Sequence, residues 1–224
     1  MIEEIADWIT NEIGVMDRSF GGAIPHKTTR NFKLQQRPLE LASLIKFLLD
    51  KKSEGEQISR YIEIGACAGG TTYTINEFLK FEEILIIDDA GAENTGLYVN
   101  ERGDHDRGKH LAYINRIEII GDSKSERIIS AAKDLSRNNK FDVLFIDGDH
   151  SVEGVRNDAF NYYDCVRDGG YLVFHDTIVS GSPDTVCEEL MRQYPSFKFI
   201  STFAFKDPHV NDYPNGIGIS VYQK

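Results

Sequence analysis

"YIEIGACAGGTTYT" (residues 61–74) carries the pattern from which the rest of the chain can be read. A short apolar run holds one acid, Glu63, and ends at Gly65; Gly69 and Gly70 follow, and threonines from Thr71 open a helix-like segment. Strand, glycine turn and helix N-terminus in that order are what an open parallel sheet uses to receive a ligand beyond the carboxyl ends of its strands. Gly65 and Gly69 allow the backbone to curl and approach a ligand closely. The spacing is G-x-x-x-G-G, so the G-x-G-x-x-G dinucleotide fingerprint is not met, and no G-K-[ST] follows to make a phosphate-cradling loop. An acid two residues before the first glycine favours a cationic amino-acid group. S-adenosylmethionine (SAM) offers an ammonium and a sulfonium and has no phosphate to seat. Taken alone, E-x-G-x-x-x-G fits a ligand-free strand–helix turn as well, and the residues downstream have to decide.

Working outward, the chain alternates short Ile-, Val-, Leu- and Phe-rich runs with helical segments. Strands are expected at about 61–64, 84–88, 116–120, 142–147 and 170–175, and helices at about 71–80, 124–138 and 152–166. A further helix at about 184–194 precedes "FKFISTFAF", and "GIGISVYQ" is a closing strand. Such alternation implies a Rossmann-like α/β fold, a mostly parallel sheet with helices on both faces. Upstream, Ile2, Ile5, Ala6, Trp8, Ile9 and Ile13 form a helical stripe, and Pro38 opens a helix through "PLELASLIKFLLDKK". Residues 1–55 thus read as an N-terminal helical cap region, and 1–224 as a single domain. The stretch 89–115 is polar, glycine-rich and too long for an ordinary connection, so it reads as an insertion loop.

Composition narrows the function classes. A net charge of −11 weighs against nucleic-acid binding, which needs a basic surface to displace counterions. Three widely spaced cysteines without C-x-x-C suit reduced thiols in a cytoplasmic protein. No apolar run approaches the roughly 20 residues that span a bilayer, so no membrane partner is expected.

Each strand of the series ends in an acid. Asp88, about 20 residues past the turn, suits ribose hydroxyls, or a helix cap. Asp122 and Ser123 suit the border of an adenine, or the cap of the following helix. The fourth and fifth strands end at "DGDHSVEGV" (147–155) and "GGYLVFHDT" (169–177).

These last two motifs, with "EIGACAGG", make residues 36–222 resemble class I SAM-dependent methyltransferases, in particular the catechol-O-methyltransferase-like group. Its relatives include macrolide, sugar and antibiotic O-methyltransferases and a cephalosporin-hydroxylase-like branch. The resemblance implies a seven-stranded sheet whose last strand is antiparallel and inserted between the fifth and sixth. It implies that Glu63, Gly65, Ala66 and Gly69 hold the methionine end of SAM, Asp88 the ribose, Asp122 or Ser123 the adenine side, and Asp147 the cofactor and metal edge. Asp147 and Asp176, emerging together from adjacent parallel strands, are hard oxygen ligands suited to Mg2+ or Mn2+. Relatives place two adjacent acids after the fifth strand, where this chain has His175-Asp176; a histidine ligand shifts preference toward softer ions, or packs into the core. Asp149 or His150 is the expected general base, with helix capping the alternative for Asp149. His105, His110, Arg30 and Lys33 are weaker candidates for substrate contact.

The function expected is therefore O-methylation of a small hydroxylated molecule. A non-catalytic SAM-binding module and an NAD-dependent oxidoreductase are the competing readings. The sequence leaves the acceptor and the oligomeric state open, a homodimer being the preferred expectation.

Overall fold

The computed structural model describes residues 1–13, 16–17, 22–23, 36–67, 69–89, 114–206 and 216–224. Arg30, Lys33, His105, His110 and nearly all of the 89–115 insertion lie outside them. Helix α1 (Ile2–Trp8) runs on as a π-helical turn to Ile13, and Met16–Asp17 pair antiparallel with Gly22–Ala23. Helix α2 (Pro38–Ser53) starts at its proline directly after extended Arg37, the position where a missing N–H costs nothing. Then follow β1 (Arg60–Ile64), α3 (Gly70–Leu79), β2 (Glu83–Asp88), β3 (Ile117–Ile120), α4 (Glu126–Ser136) and β4 (Phe141–Ile146). The chain continues through α5 (Val152–Tyr162), β5 (Val166–His175), α6 (Ser182–Gln193), β6 (Lys198–Phe203) and β7 (Ile219–Gln223).

The seven strands form one sheet in the order β3-β2-β1-β4-β5-β7-β6. All neighbours pair in parallel except β7, which lies antiparallel between β5 and β6. The seven-stranded, mostly parallel Rossmann-like architecture read from the sequence is the one found. From β1 the order runs one way to β2 and β3 and the other way to β4 and β5, so the crevice between β1 and β4 is the topological switch point.

One boundary differs from expectation. The helix expected over 152–166 stops at Tyr162 and gives way to a 3-10 turn (Tyr163–Cys165), because Val166 already pairs with Phe141. Register then jumps to Val143 opposite Tyr171, leaving Arg167–Gly170 as a bulge within β5. Gly169 (φ +75°) and Gly170, a pair that in the sequence suits a tight turn into the fifth strand, belong instead to that bulge. Asp142 pins this end of the sheet: its carboxylate accepts from the Ser59 and Arg60 N–H groups and, at 2.6 Å, from Arg167 Nε.

Strands β1 and β4 are buried along their whole length, as expected for strands covered on both faces. Side chains alternate between two cores. Tyr61, Val143, Phe145, Tyr171 and Val173 pack with α1, α2 and α3, whereas Ile62, Ile64, Leu144, Ile146, Leu172 and Phe174 pack with α4, α5 and α6. The same alternation assigns Glu63, Asp147 and His175 to the α2–α3 side, where the Phe145 and His175 rings stack. Packing has therefore placed three ionisable side chains on one face at the carboxyl edge of three adjacent strands.

Candidate active site

Glu63 is buried at the end of β1. Tyr61 donates its hydroxyl to Glu63 Oε2 at 2.7 Å, and Thr72 in the first turn of α3 donates to the same oxygen. Oε1 has no hydrogen-bond partner among the described residues. Burial pushes the carboxyl pKa up to about 8, against the opposing pull of the two hydroxyls. A buried carboxyl with one oxygen unanswered is the acceptor that the N–H donors of an ammonium group would satisfy.

Around it the glycine turn is fixed by contacts within the chain. Gly65 has φ +84°, and a Cβ there would stand 2.3 Å from the Asp147 carbonyl oxygen. Its missing side chain thus lets the β1 and β4 exits pass each other, an approach the sequence alone assigned to a ligand. Ala66 is buried in the core, and its carbonyl accepts from the Gly69 N–H. Gly69 is the left-handed N-cap of α3 (φ +82°). Asp88, at the end of β2, accepts from the Cys67 N–H at 2.8 Å and so ties the turn to its neighbouring strand.

Asp122 accepts from the Lys124 N–H, and Ser123 donates to Asp158 Oδ1 on α5 at 2.6 Å. Both lie at the β3 exit, and both are engaged in shaping the turn into α4. Asp158 is buried, its Oδ2 has no partner among the described residues, and burial raises its pKa to about 6.

The β4 and β5 exits bring Asp147, Asp149, His150, His175 and Asp176 to one cleft, walled by Val155, Phe174 and Pro183. His175 Nδ1 meets Asp147 Oδ1 at 2.9 Å and Asp176 Oδ1 at 3.5 Å. His150 Nδ1 pairs with Asp176 Oδ2, and its Nε2 lies 3.7 Å from Asp147 Oδ1. Burial disfavours charge on His175, but the Asp147 carboxylate and its hydrogen bond, aided by Asp176 and Glu40, lift its pKa to about 9. The bond to Asp176 likewise raises His150. Asp176 itself is a non-glycine residue in the left-handed region (φ +58°), a conformation costing about 1–2 kcal/mol that its surroundings must hold in place.

Asp147, His175 and Asp176 each offer one ligand atom, all within 4.8 Å of one another. Two carboxylates and an imidazole fit a divalent ion, with the nitrogen favouring Mn2+ over Mg2+. Without an ion, protonation of His175 supplies the positive charge between the two acids.

Asp149 sits differently. Its Oδ1 accepts from the Ser151 N–H at 3.0 Å and its Oδ2 takes Lys124 Nζ at 3.3 Å, while Ser151 caps α5 through Gly154 N–H. The backbone bond from Ser151, with Lys124 adding to it, lowers its pKa.

Three participants escaped the sequence reading. Gln36, buried just before α2, donates from Nε2 to Asp147 Oδ2 at 2.6 Å and accepts from Thr71 Oγ1 at 2.5 Å. Glu40 is fully buried on α2, where its carboxylate accepts from the Ile217 and Gly218 N–H groups at 3.0 and 3.1 Å. Thr72 has in the sequence only the look of an ordinary helix starter. Glu40 did leave a signal, since it shares the i, i+4, i+8 stripe of Leu44 and Leu48.

Residues 62–177 match a family model described as a methyltransferase domain. An uncharacterised protein of Acanthamoeba polyphaga mimivirus is 35% identical over 119 residues, 52% of this chain and 50% of that one, so the match spans about half the relative's length. Among solved structures, the O-methyltransferase TomG from Streptomyces achromogenes in complex with SAM superposes with a TM-score of 0.57 at 13% identity, covering 99% of this chain and 88% of that one. The N-methyltransferase NodS from Bradyrhizobium japonicum in complex with S-adenosylhomocysteine (SAH) gives 0.52 at 13%, covering 81% and 86%. At such identities the likeness is one of fold, common to enzymes acting on oxygen and on nitrogen. Among the described residues no helix is long and apolar enough to cross a membrane.

Proposed function

The chain belongs to the methyltransferase-domain family, and on that premise we propose that it methylates a hydroxyl of a small molecule with SAM, assisted by a divalent ion. The observation that carries the oxygen assignment is the pairing of His150 with Asp176 beside Asp147 and His175. An alcohol or phenol must lose its proton to become an effective nucleophile, whereas a neutral amine already has its electron pair.

Glu63 would hold the ammonium of SAM, with the 65–69 turn about its methionine end and Asp88, Asp122 and Ser123 toward the nucleoside. The cofactor supplies an electrophilic methyl group and leaves as SAH. Asp147, Asp176 and His175 would hold Mn2+ or Mg2+, which when bound supplies positive charge that lowers the pKa of an acceptor hydroxyl. His150 has Nδ1 committed to Asp176, so Nε2 is the atom that takes the acceptor's proton. Asp176 orients the ring and stabilises the imidazolium that results. Asp149 is the weaker base of the two, because the helix cap and Lys124 already hold both its oxygens. The net charge of −11 supports a small acceptor over a nucleic acid.

The test is calorimetry with SAH, followed by methyl-transfer assays on alcohol and amine panels with EDTA and with Mn2+. The reading predicts SAH binding, turnover of hydroxyl acceptors and recovery by Mn2+ after EDTA. Binding of NAD instead of SAH would remove the cofactor assignment; turnover of amines alone would remove the oxygen assignment; indifference to EDTA would remove the metal.

A further inference from the structure

Gln36 stands where the two halves of the site meet. Its side-chain oxygen receives the Thr71 hydroxyl from the first turn of α3, next to Thr72, which in turn donates to Glu63. Its amide nitrogen donates to Asp147 Oδ2, and the other oxygen of Asp147 faces His175 Nδ1. Only 2% of Gln36 is exposed, so water does not compete for either bond. Because the Asp147 carboxylate can only accept, the amide must turn its N–H side toward it, which leaves Oε1 to receive the Thr71 hydroxyl. The carboxylate is thereby held with Oδ1 toward His175 and His150. A 111-residue separation joins Gln36 to Asp147, and 35 residues join it to Thr71, so the bridge is made by the fold and not by local geometry.

We propose that Gln36 is a positioning residue that couples the methyl-donor side to the cation side: ordering α3's first turn around the donor fixes Thr71, Gln36 and Asp147 in turn, so each ligand tightens the other. This rests on the function proposed above. Gln36 makes no chemical step; it sets the rotamer of Asp147. Coupling between two sites is reciprocal, and a bridge of this kind belongs in the usual range of about 5- to 150-fold.

The experiment titrates Mn2+ into the full chain, read by water-proton relaxation, with and without saturating SAH. SAH is used because it lacks the sulfonium charge that would repel the ion. Wild type is expected to bind Mn2+ at least fivefold more tightly with SAH present, and SAH more tightly by the same factor with Mn2+. Gln36→Leu and Thr71→Val should each bring that ratio to within twofold. Thr71→Val cuts the bridge at its far end, leaves the Gln36 bond to Asp147 in place and is close to isosteric, which guards against a folding defect in Gln36→Leu. Reading a ratio cancels any direct loss of affinity in either variant. A ratio unchanged in both variants, or no coupling in wild type, overturns the proposal. Failure of wild type to bind SAH alone, or Mn2+ alone, overturns it too, but by removing the cofactor or the metal of the proposed function, and it is seen before any variant is made.

Discussion

Asp147 and His175 leave adjacent strands and meet at 2.9 Å, carboxylate to imidazole, with the His175 side chain almost wholly enclosed. Breaking such a buried pair by removing one charge costs about 3–5 kcal/mol, because the partner stays buried and uncompensated. Asp147→Asn should therefore lower the melting temperature of the metal-free protein by roughly 6–20 °C at about 2–4 °C per kcal/mol. Adding His175→Gln should recover part of that loss, since no unpaired charge remains. Differential scanning calorimetry of the two single variants and the double variant checks this, and strict additivity would contradict it.

The Glu63 carboxyl, at about 8 in the folded chain against an ordinary 4.5, makes stability and cofactor binding depend on pH in opposite directions. The folded protein holds this proton more tightly than the unfolded one. The contribution to stability is therefore full below 4.5 and is lost as pH rises through about 8. If Glu63 holds the SAH ammonium as proposed, SAH binds the ionised form, so affinity should climb as pH rises toward 8 and then level off, by at most about tenfold per pH unit. Glu63→Gln should flatten both curves and weaken SAH binding at pH 8. Isothermal titration across pH 6–9 reads this; a proton release near zero in wild type below pH 8 would rule it out.

His150 should separate chemistry from binding. Its removal leaves Glu63 and the glycine turn untouched, so His150→Gln should keep SAH affinity within about twofold while single-turnover methyl transfer falls about 10²- to 10⁴-fold, the usual contribution of a general base. An equal loss of SAH affinity would make it a structural histidine instead. Asp149→Asn should affect stability more than rate, through the α5 cap.

Gly65→Ala tests the crossing of the β1 and β4 exits. The added methyl meets the Asp147 carbonyl oxygen at 2.3 Å in a backbone conformation that L-residues resist. Overpacking and the left-handed φ together should cost about 2–5 kcal/mol. Urea denaturation should show the loss with an unchanged slope, and SAH binding should fail along with it.

What the sequence disclosed was whatever has a local cause. Periodicity announced the strands; the glycines announced the turn; and acids at strand ends announced Asp88, Asp147 and Asp176, because parallel strands deliver their termini to one edge. The bulge in β5 stayed hidden, since Gly169-Gly170 before an apolar run looks the same whether it precedes a strand or interrupts one. Gln36 stayed hidden for a different reason. A glutamine in a polar stretch has no periodicity to violate, and its partners lie 35 and 111 residues away. The two roles offered for Asp149 were indistinguishable in the sequence because "DHS" before a helix reads equally as chemistry and as a cap, and only the Lys124 and Ser151 contacts tell where its oxygens go.

The place of β7 bears on when the site can come into being. It is the last strand in chain order, yet it sits inside the sheet against β5, and its entry supplies the N–H groups that Glu40 gathers. Until it docks, β5 presents an open edge and the backbone beyond His175 lacks its anchors, the carbonyls of Ile217 and Gly218. A folding chain can complete β1 through β4, glycine turn included, and still have no acceptor side. The β1–β4 half should form first, and the contacts of longest sequence separation should set the pace for the half to which the proposed function gives the chemistry.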